Sequence, residues 1–133
     1  MTRVFLDANI LFSAAWSDGS GIGRLWEMQG VQLVTSPYAL MEAVHNIQIK
    51  KPVASLRLSA LAEKVEVSPL TALLNEDHGL PKKDLPILAA PIGSGCTVLM
   101  TGDVTHFGHL IDTEVEGARV MTVSMFLSTL ASF

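Results

Sequence analysis

Short apolar runs alternate with helix-patterned segments along this chain, and two of the runs, Val4-Phe5-Leu6 and Val98-Leu99-Met100, contain no polar residue. Strands that read as unbroken apolar runs are buried on both faces, the condition of a parallel sheet lying between helices. A hydrophobic share of 49% against 17% charged residues, with mean hydropathy +0.40, agrees with a sheet covered on both sides. At 133 residues there is room for one core and not for two. The expected architecture is a single three-layer α/β domain over residues 1–133, with neither an internal repeat nor a linker to divide it.

A first strand over residues 3–6 ends in a turn-like Asp7-Ala8-Asn9 that leads into a helix at Ile10-Leu11-Phe12. Asp18-Gly19-Ser20-Gly21 reads as a loop whose Asp or Ser caps a helix over about 22–28, ended by Gly30. Val31-Gln32-Leu33-Val34 is a second strand, and Ser36-Pro37 caps a helix that runs to about Lys50. After Pro52 a helix over about 53–63 is expected, with Leu56, Ala60, Leu61 and Ala62 on its apolar face, followed by a short edge strand at Val65-Glu66-Val67. Residues 69–81 carry no clear pattern: 70–74 fit a helical turn, and Asn75-Glu76-Asp77-His78-Gly79 fits a loop. The next helix opens at Lys83-Asp84 with Pro86 in its first turn, and Pro91 ends or bends it near Ile92. Thr97-Val98-Leu99-Met100 is a fourth strand, residues 119–123 hold the last, and a helix to about Leu130 closes the chain.

The single cysteine, Cys96, has no partner for an internal disulfide and reads as a small core residue in a reducing compartment. The chain enters its first strand without a basic and apolar leader, and no apolar run reaches the length of a membrane span. A soluble, cytoplasmic protein with no membrane contact is expected. Nine Lys and Arg against thirteen Asp and Glu give a net charge of −4, which by itself disfavours a nucleic-acid partner. Setting aside Asp7, Glu42, Asp84 and Asp103 as ligands leaves nine acids against nine bases, so net charge decides little. Lys50, Lys51, Arg57 and Lys64 read as solvated helix faces, whereas Lys82-Lys83 beside Asp84 tilt toward phosphate contact.

Those four carboxylates stand where apolar runs break off or helices begin. Acids at the C-terminal ends of parallel strands point into the crevice where such sheets bind ligands, so Asp7 and Asp103 face each other if their strands are neighbours. Like charges gathered in one crevice raise one another's pKa, and a hard cation with oxygen ligands resolves the conflict. Four acids at one rim suit metal-assisted phosphodiester hydrolysis.

Phe5-Leu6-Asp7-Ala8-Asn9, Glu42 with Asn46 one turn on, Asp84-Leu85-Pro86-Ile87-Leu88-Ala89-Ala90, and Thr101-Gly102-Asp103 followed by His106-Phe107-Gly108 together resemble the PIN-domain family, which includes the VapC-type toxins. The resemblance covers nearly the whole chain. It implies a parallel sheet of about five strands in the order 3-2-1-4-5, and a Mg²⁺- or Mn²⁺-dependent endoribonuclease acting on single-stranded or loop RNA, with the toxin of a toxin–antitoxin pair as one role the family offers. It also implies roles: Asp7, Asp84 and Asp103 as metal ligands, and Glu42 as general base or as the residue that holds a water on the metal. Asn9 and Thr101 would hold the site together, with Lys83 toward substrate. An antitoxin protein and a second copy of the chain are the partners that the family suggests.

His106 occupies a position where many family members carry another acid. It reads either as part of a tightly packed turn or as a contact to phosphate or metal, the latter suiting Mn²⁺. His45, His78 and His109 read as surface or loop residues, Asn75-Glu76-Asp77 as a solvated rival cluster, and Trp16 and Trp26 as core or dimer contacts or as surfaces for bases. Two other readings remain open: a catalytically weak PIN-fold module binding RNA or protein, and a phosphoacceptor receiver domain. The receiver lacks its expected paired acids after the first strand.

Overall fold

A computed structural model of the chain describes residues 1–17 and 21–131. The expected cap at Asp18 or Ser20 lies outside the described residues. Strand β1 (Thr2–Leu6) is followed by α1 (Ala8–Trp16), β2 (Val31–Thr35), α2 (Pro37–Lys50), α3 (Ser55–Ala62) and β3 (Glu66–Val67). Then come α4 (Leu85–Gly93), β4 (Val98–Met100), the one-turn α5 (Val104–Phe107), β5 (Glu114–Val115), β6 (Ala118–Met121) and α6 (Val123–Ala131). The sheet order is β3-β2-β1-β4-β6-β5.

Five strands run parallel in the anticipated order. β1 lies between β2 and β4, with Val4 opposite Leu33 on one side and Leu6 opposite Met100 on the other. β5 is the addition: it pairs antiparallel to β6 across Glu116-Gly117, both with positive φ (49° and 98°). That is the backbone of a tight primed turn. Glu-Gly is not one of the strong hairpin dipeptides, which is why the pattern was not visible in sequence.

The centre of the sheet is fully buried: Val4, Phe5, Leu6, Leu99 and Met100 have no exposed surface. α1 packs on α2 and α3, while α4 packs on β2 and β4. Cys96 joins the core, and burial pushes its thiol up to about 11. Among the described residues no helix is long and apolar enough to cross a membrane.

Several local expectations are corrected. Residues 21–27 form a 3₁₀ helix, Gly21–Glu27, with glycines at 21 and 23 disfavouring the α form. The segment after Pro52 splits into a 3₁₀ turn, Pro52–Ala54, and α3. Its inward face is Ala54, Leu58 and Leu61, spaced at i, i+4 and i+7, so Leu56 and Ala60 point outward and Leu56 is 85% exposed. Residues 70–74 are not helical. They form a strap across α4, where the Ala72 amide donates to the Ala89 carbonyl at 3.1 Å and Ser94 Oγ donates to the Leu70 carbonyl at 3.3 Å. The end of α4 is as expected: the helix stops at Gly93, with Pro91 buried in its last turn.

Candidate metal and catalytic site

The pairing of β1 with β4 brings their exits side by side. Asp7 leaves β1 with its amide donating to the Met100 carbonyl at 3.1 Å, and its extended backbone makes it the N-cap of α1. Its carboxylate accepts from the Ala8 amide at 2.6 Å, from Thr101 Oγ1 at 2.7 Å and from Asn9 Nδ2 at 3.3 Å. Burial pushes this carboxyl up to about 6; the bonds from Thr101 and Ala8 oppose that rise, and the charges of Glu42 and Asp103 add to it.

Thr101, fully buried, connects the two exits. It donates to Asp7 and accepts the Asp103 amide at 3.1 Å. Asn9 makes the same connection from the other side, with its Oδ1 accepting the Gly102 amide at 2.8 Å. Asp103 in turn caps α5 by accepting the His106 amide at 3.0 Å. A four-residue helix thereby aims the His106 ring back at the acids.

His106 Nδ1 sits 2.9 Å from Asp84 Oδ2 and 3.1 Å from Asp103 Oδ2. Asp84 is held by a 3₁₀ turn, Lys82–Asp84, at the entry of α4. The Asp84–His106 approach is close but misaligned, and both atoms are buried without a hydrogen bond. Two unsatisfied buried polar atoms next to a second carboxylate are a costly arrangement unless another group completes them. Asp84, Asp103 and His106 offer ligand atoms all within 4.8 Å of one another. Two carboxylates and an imidazole fit a divalent cation, and the imidazole favours a transition metal such as Mn²⁺ over Mg²⁺.

This grouping differs from the expected ligand set. His106 is in it and Asp7 is not. The turn is packed by Phe107, which has no exposed surface, rather than by His106. Asp7 lines the adjoining cleft of about 180 Å³ together with Asn9, Glu42, Asn46, Asp84 and Asp103. Glu42 is exposed, on the face of α2 toward this cleft. Of the two lysines singled out, Lys83 lines the cleft, with its carbonyl accepting the Tyr38 hydroxyl at 2.8 Å, whereas Lys82 lies along an apolar groove beside Leu73 and Leu85.

Phe12 and Lys50 also line the cleft and were not singled out. Lys50 was legible in principle, since it follows Glu42 and Asn46 at steps of four on one helix face. His78 is not a free loop residue: it pairs with Glu116 and lies 3.5 Å from Glu76, and its carbonyl is 2.7 Å from His109 Nε2. A larger groove of about 430 Å³ between α2 and α3 is lined by Leu40, Val44, Ile47 and Leu58, and it brings no two acids together. The chemistry therefore belongs to the smaller cleft.

A three-layer α/β domain whose acids meet where the strand order reverses is the class that fold and site define. No family model matches the sequence, and no curated protein matches it. Solved structures do match. VapBC2 from Rickettsia felis, bound to a DNA fragment from its promoter, superposes with TM-score 0.68 at 15% identity, covering 91% of this chain and 98% of that one. PAE2754 from Pyrobaculum aerophilum gives 0.66 at 20% identity over 99% and 97% of the two chains. VapC20 from Mycobacterium tuberculosis, a toxin that cleaves the sarcin–ricin loop, gives 0.60 at 18% identity over 85% and 97%. The chain has the PIN-domain fold, which it shares with these structures.

Proposed function

We infer that the chain is a divalent-cation-dependent endoribonuclease that hydrolyses phosphodiester bonds in single-stranded or loop RNA, and that it is the toxin of a toxin–antitoxin pair. The observation that carries this reading is the convergence of Asp84, Asp103 and His106 on one point, two of their atoms buried and unsatisfied, beside the Asp7 carboxylate. The fold shared with VapC20 and with VapBC complexes supports the substrate class and the antitoxin partner. Val53 and Leu56, 84% and 85% exposed, support a homodimer as part of the same reading.

In this reading Asp7, Asp84 and Asp103, with His106 beside the latter two, would hold Mn²⁺ or Mg²⁺. Such a cation, when bound, supplies activation of water and stabilisation of charge on the phosphoryl oxygens. The remaining steps belong to the chain. Thr101, Asn9 and the Ala8 amide fix the Asp7 carboxylate in one orientation toward the cleft. Glu42, exposed on the far wall, accepts the proton of the attacking water as the new O–P bond forms and the bond to the leaving oxygen breaks. Lys83 and Lys50 set positive charge beside a phosphate that the acids alone would repel.

The test is cleavage of a labelled single-stranded RNA with Mn²⁺ or Mg²⁺. Cleavage should stop with EDTA and in Asp84→Asn, with the circular dichroism spectrum retained. Equal cleavage by wild type and variant would assign the activity to a contaminant and sink the reading.

A further inference from the structure

Phe12 and Trp16 lie one turn apart on α1, with ring centroids 5.3 Å apart and planes tilted by 38°. Each ring has a lysine from the end of α2 over one of its faces. The Lys50 ammonium is 5.6 Å from the Phe12 centroid, and that of Lys51 is 4.9 Å from the Trp16 centroid. Lys51 also donates to the Trp16 carbonyl at 2.5 Å, which fixes the outer end of α1 against α2. Phe12 and Lys50 belong at the same time to the lining of the acidic cleft. The four side chains thus make a ledge that begins inside the cleft and runs outward along α1, about 13 Å from Asp7 to Trp16 at the rise of an α-helix.

Trp26 plays no part in it, because its indole N–H donates to the Leu61 carbonyl at 3.0 Å and it lines a different groove, with Ala14 and Leu61. Trp16 is 40% exposed, although indoles are highly buried on average.

Charge states what such a ledge takes. Its inner end, at Phe12 and Lys50, meets Asp7, Glu42, Asp84 and Asp103, while its outer end, at Trp16, carries the Lys51 ammonium. Aromatic rings take unpaired bases on their faces, and neighbouring lysines take the phosphates between those bases. A phosphodiester chain with splayed bases satisfies rings and cations together; a duplex, with its bases stacked inward, satisfies the cations alone.

We propose that Phe12, Trp16, Lys50 and Lys51 bind the nucleotides flanking the scissile phosphate, and that this ledge restricts the site to single-stranded RNA. The proposal rests on the ribonuclease reading above and names the substrate contacts of that same site.

Trp16 reports on its own occupancy once Trp26→Phe leaves it as the sole tryptophan of the two in the chain. In an Asp7→Asn background that blocks cleavage, with Mg²⁺ present, a single-stranded RNA of about ten nucleotides should quench Trp16 emission, and its duplex should not. Trp16→Ala should weaken binding of that RNA about tenfold by fluorescence anisotropy. Trp16→Leu, which keeps bulk without an aromatic face, should do the same where the alanine variant folds poorly. Lys51→Ala should reduce the slope of log affinity against log salt by about 0.7, the signature of one lost phosphate contact on a single strand. RNA that binds and is cleaved without moving Trp16 emission, or that binds Trp16→Leu as tightly as its parent, would overturn the ledge and leave the nuclease reading standing. Absence of both binding and cleavage in the wild-type chain would overturn both.

Discussion

Nδ1 of His106 lies 2.9 Å from Oδ2 of Asp84, joining the one-turn helix after β4 to the entry of α4. Asp103 caps that helix and lies 3.1 Å from the same nitrogen, so one imidazole faces two carboxylates from separate segments. If this nitrogen is a ligand, His106→Asn should weaken Mn²⁺ binding by about tenfold or more in isothermal titration calorimetry. Mg²⁺ should lose less, because imidazole contributes most to transition metals. Unchanged affinity for both ions would return His106 to a packing role.

The pH dependence of the cation-free protein follows from Asp7. Its carboxyl is raised in the folded state, from 3.8 to about 6, so the folded chain binds this proton more tightly than the unfolded chain does. The resulting stability is complete below the unfolded pKa and is lost as pH rises through about 6, with a swing of order 3 kcal/mol as an upper bound. Glu66 beside Arg3 and Glu116 beside His78 are lowered instead, so their contributions fade only below 4.5, outside this window. In EDTA the melting temperature should therefore rise between pH 7.5 and 5.5, and Asp7→Asn should flatten the trend. A wild-type melting temperature that is level or falls across that range contradicts the burial penalty.

Glu42 tests the division between holding a cation and moving a proton. It is exposed and lies outside the cluster of Asp84, Asp103 and His106. Glu42→Gln should lower kcat by about 10²- to 10⁴-fold, the range of general-base catalysis. Mn²⁺ affinity measured on the same variant should stay within about twofold of wild type. A variant that loses both properties together would make Glu42 a ligand.

Gly93 tests the strap. A Cβ built there would lie 2.3 Å from the Thr71 carbonyl carbon and 2.7 Å from the Ala72 amide nitrogen, both backbone atoms that cannot swing aside. Gly93→Ala should cost about 1–3 kcal/mol, read as a lower urea midpoint, although alanine is otherwise the better helix residue. A midpoint at or above wild type would mean that the strap lifts away from α4 at little cost.

How much of the site could be read before folding is clearest at its two ends. Asp7 and Asp103 follow apolar runs, and Leu6 pairs with Met100, so the strand order alone sets them side by side. Glu42 was legible through the Ser36-Pro37 cap, which fixes where α2 starts and hence which face its next turns present. His106 was legible only as one of two readings, packed turn or contact to phosphate or metal, because its position depends on the one-turn helix that Asp103 caps, and no periodicity shows in four residues. Lys82 and Lys83 are adjacent and alike in sequence, and only the 3₁₀ turn sends one into the cleft and the other to an apolar groove.

The sequence by itself determined the layered α/β plan and the placing of Asp7 and Asp103 after apolar strands, because buried strands and capped helices leave local patterns of period and polarity; the strand order that sets the two side by side was implied by the family resemblance and is fixed by the pairing of β1 with β4. Tertiary structure alone decided which side chains share a point in space: His106 between Asp84 and Asp103, Thr101 between Asp7 and the Asp103 amide, and the lysines beside Phe12 and Trp16. Those meetings depend on the angles of short turns and on contacts between distant segments, which leave no repeating signal along the chain.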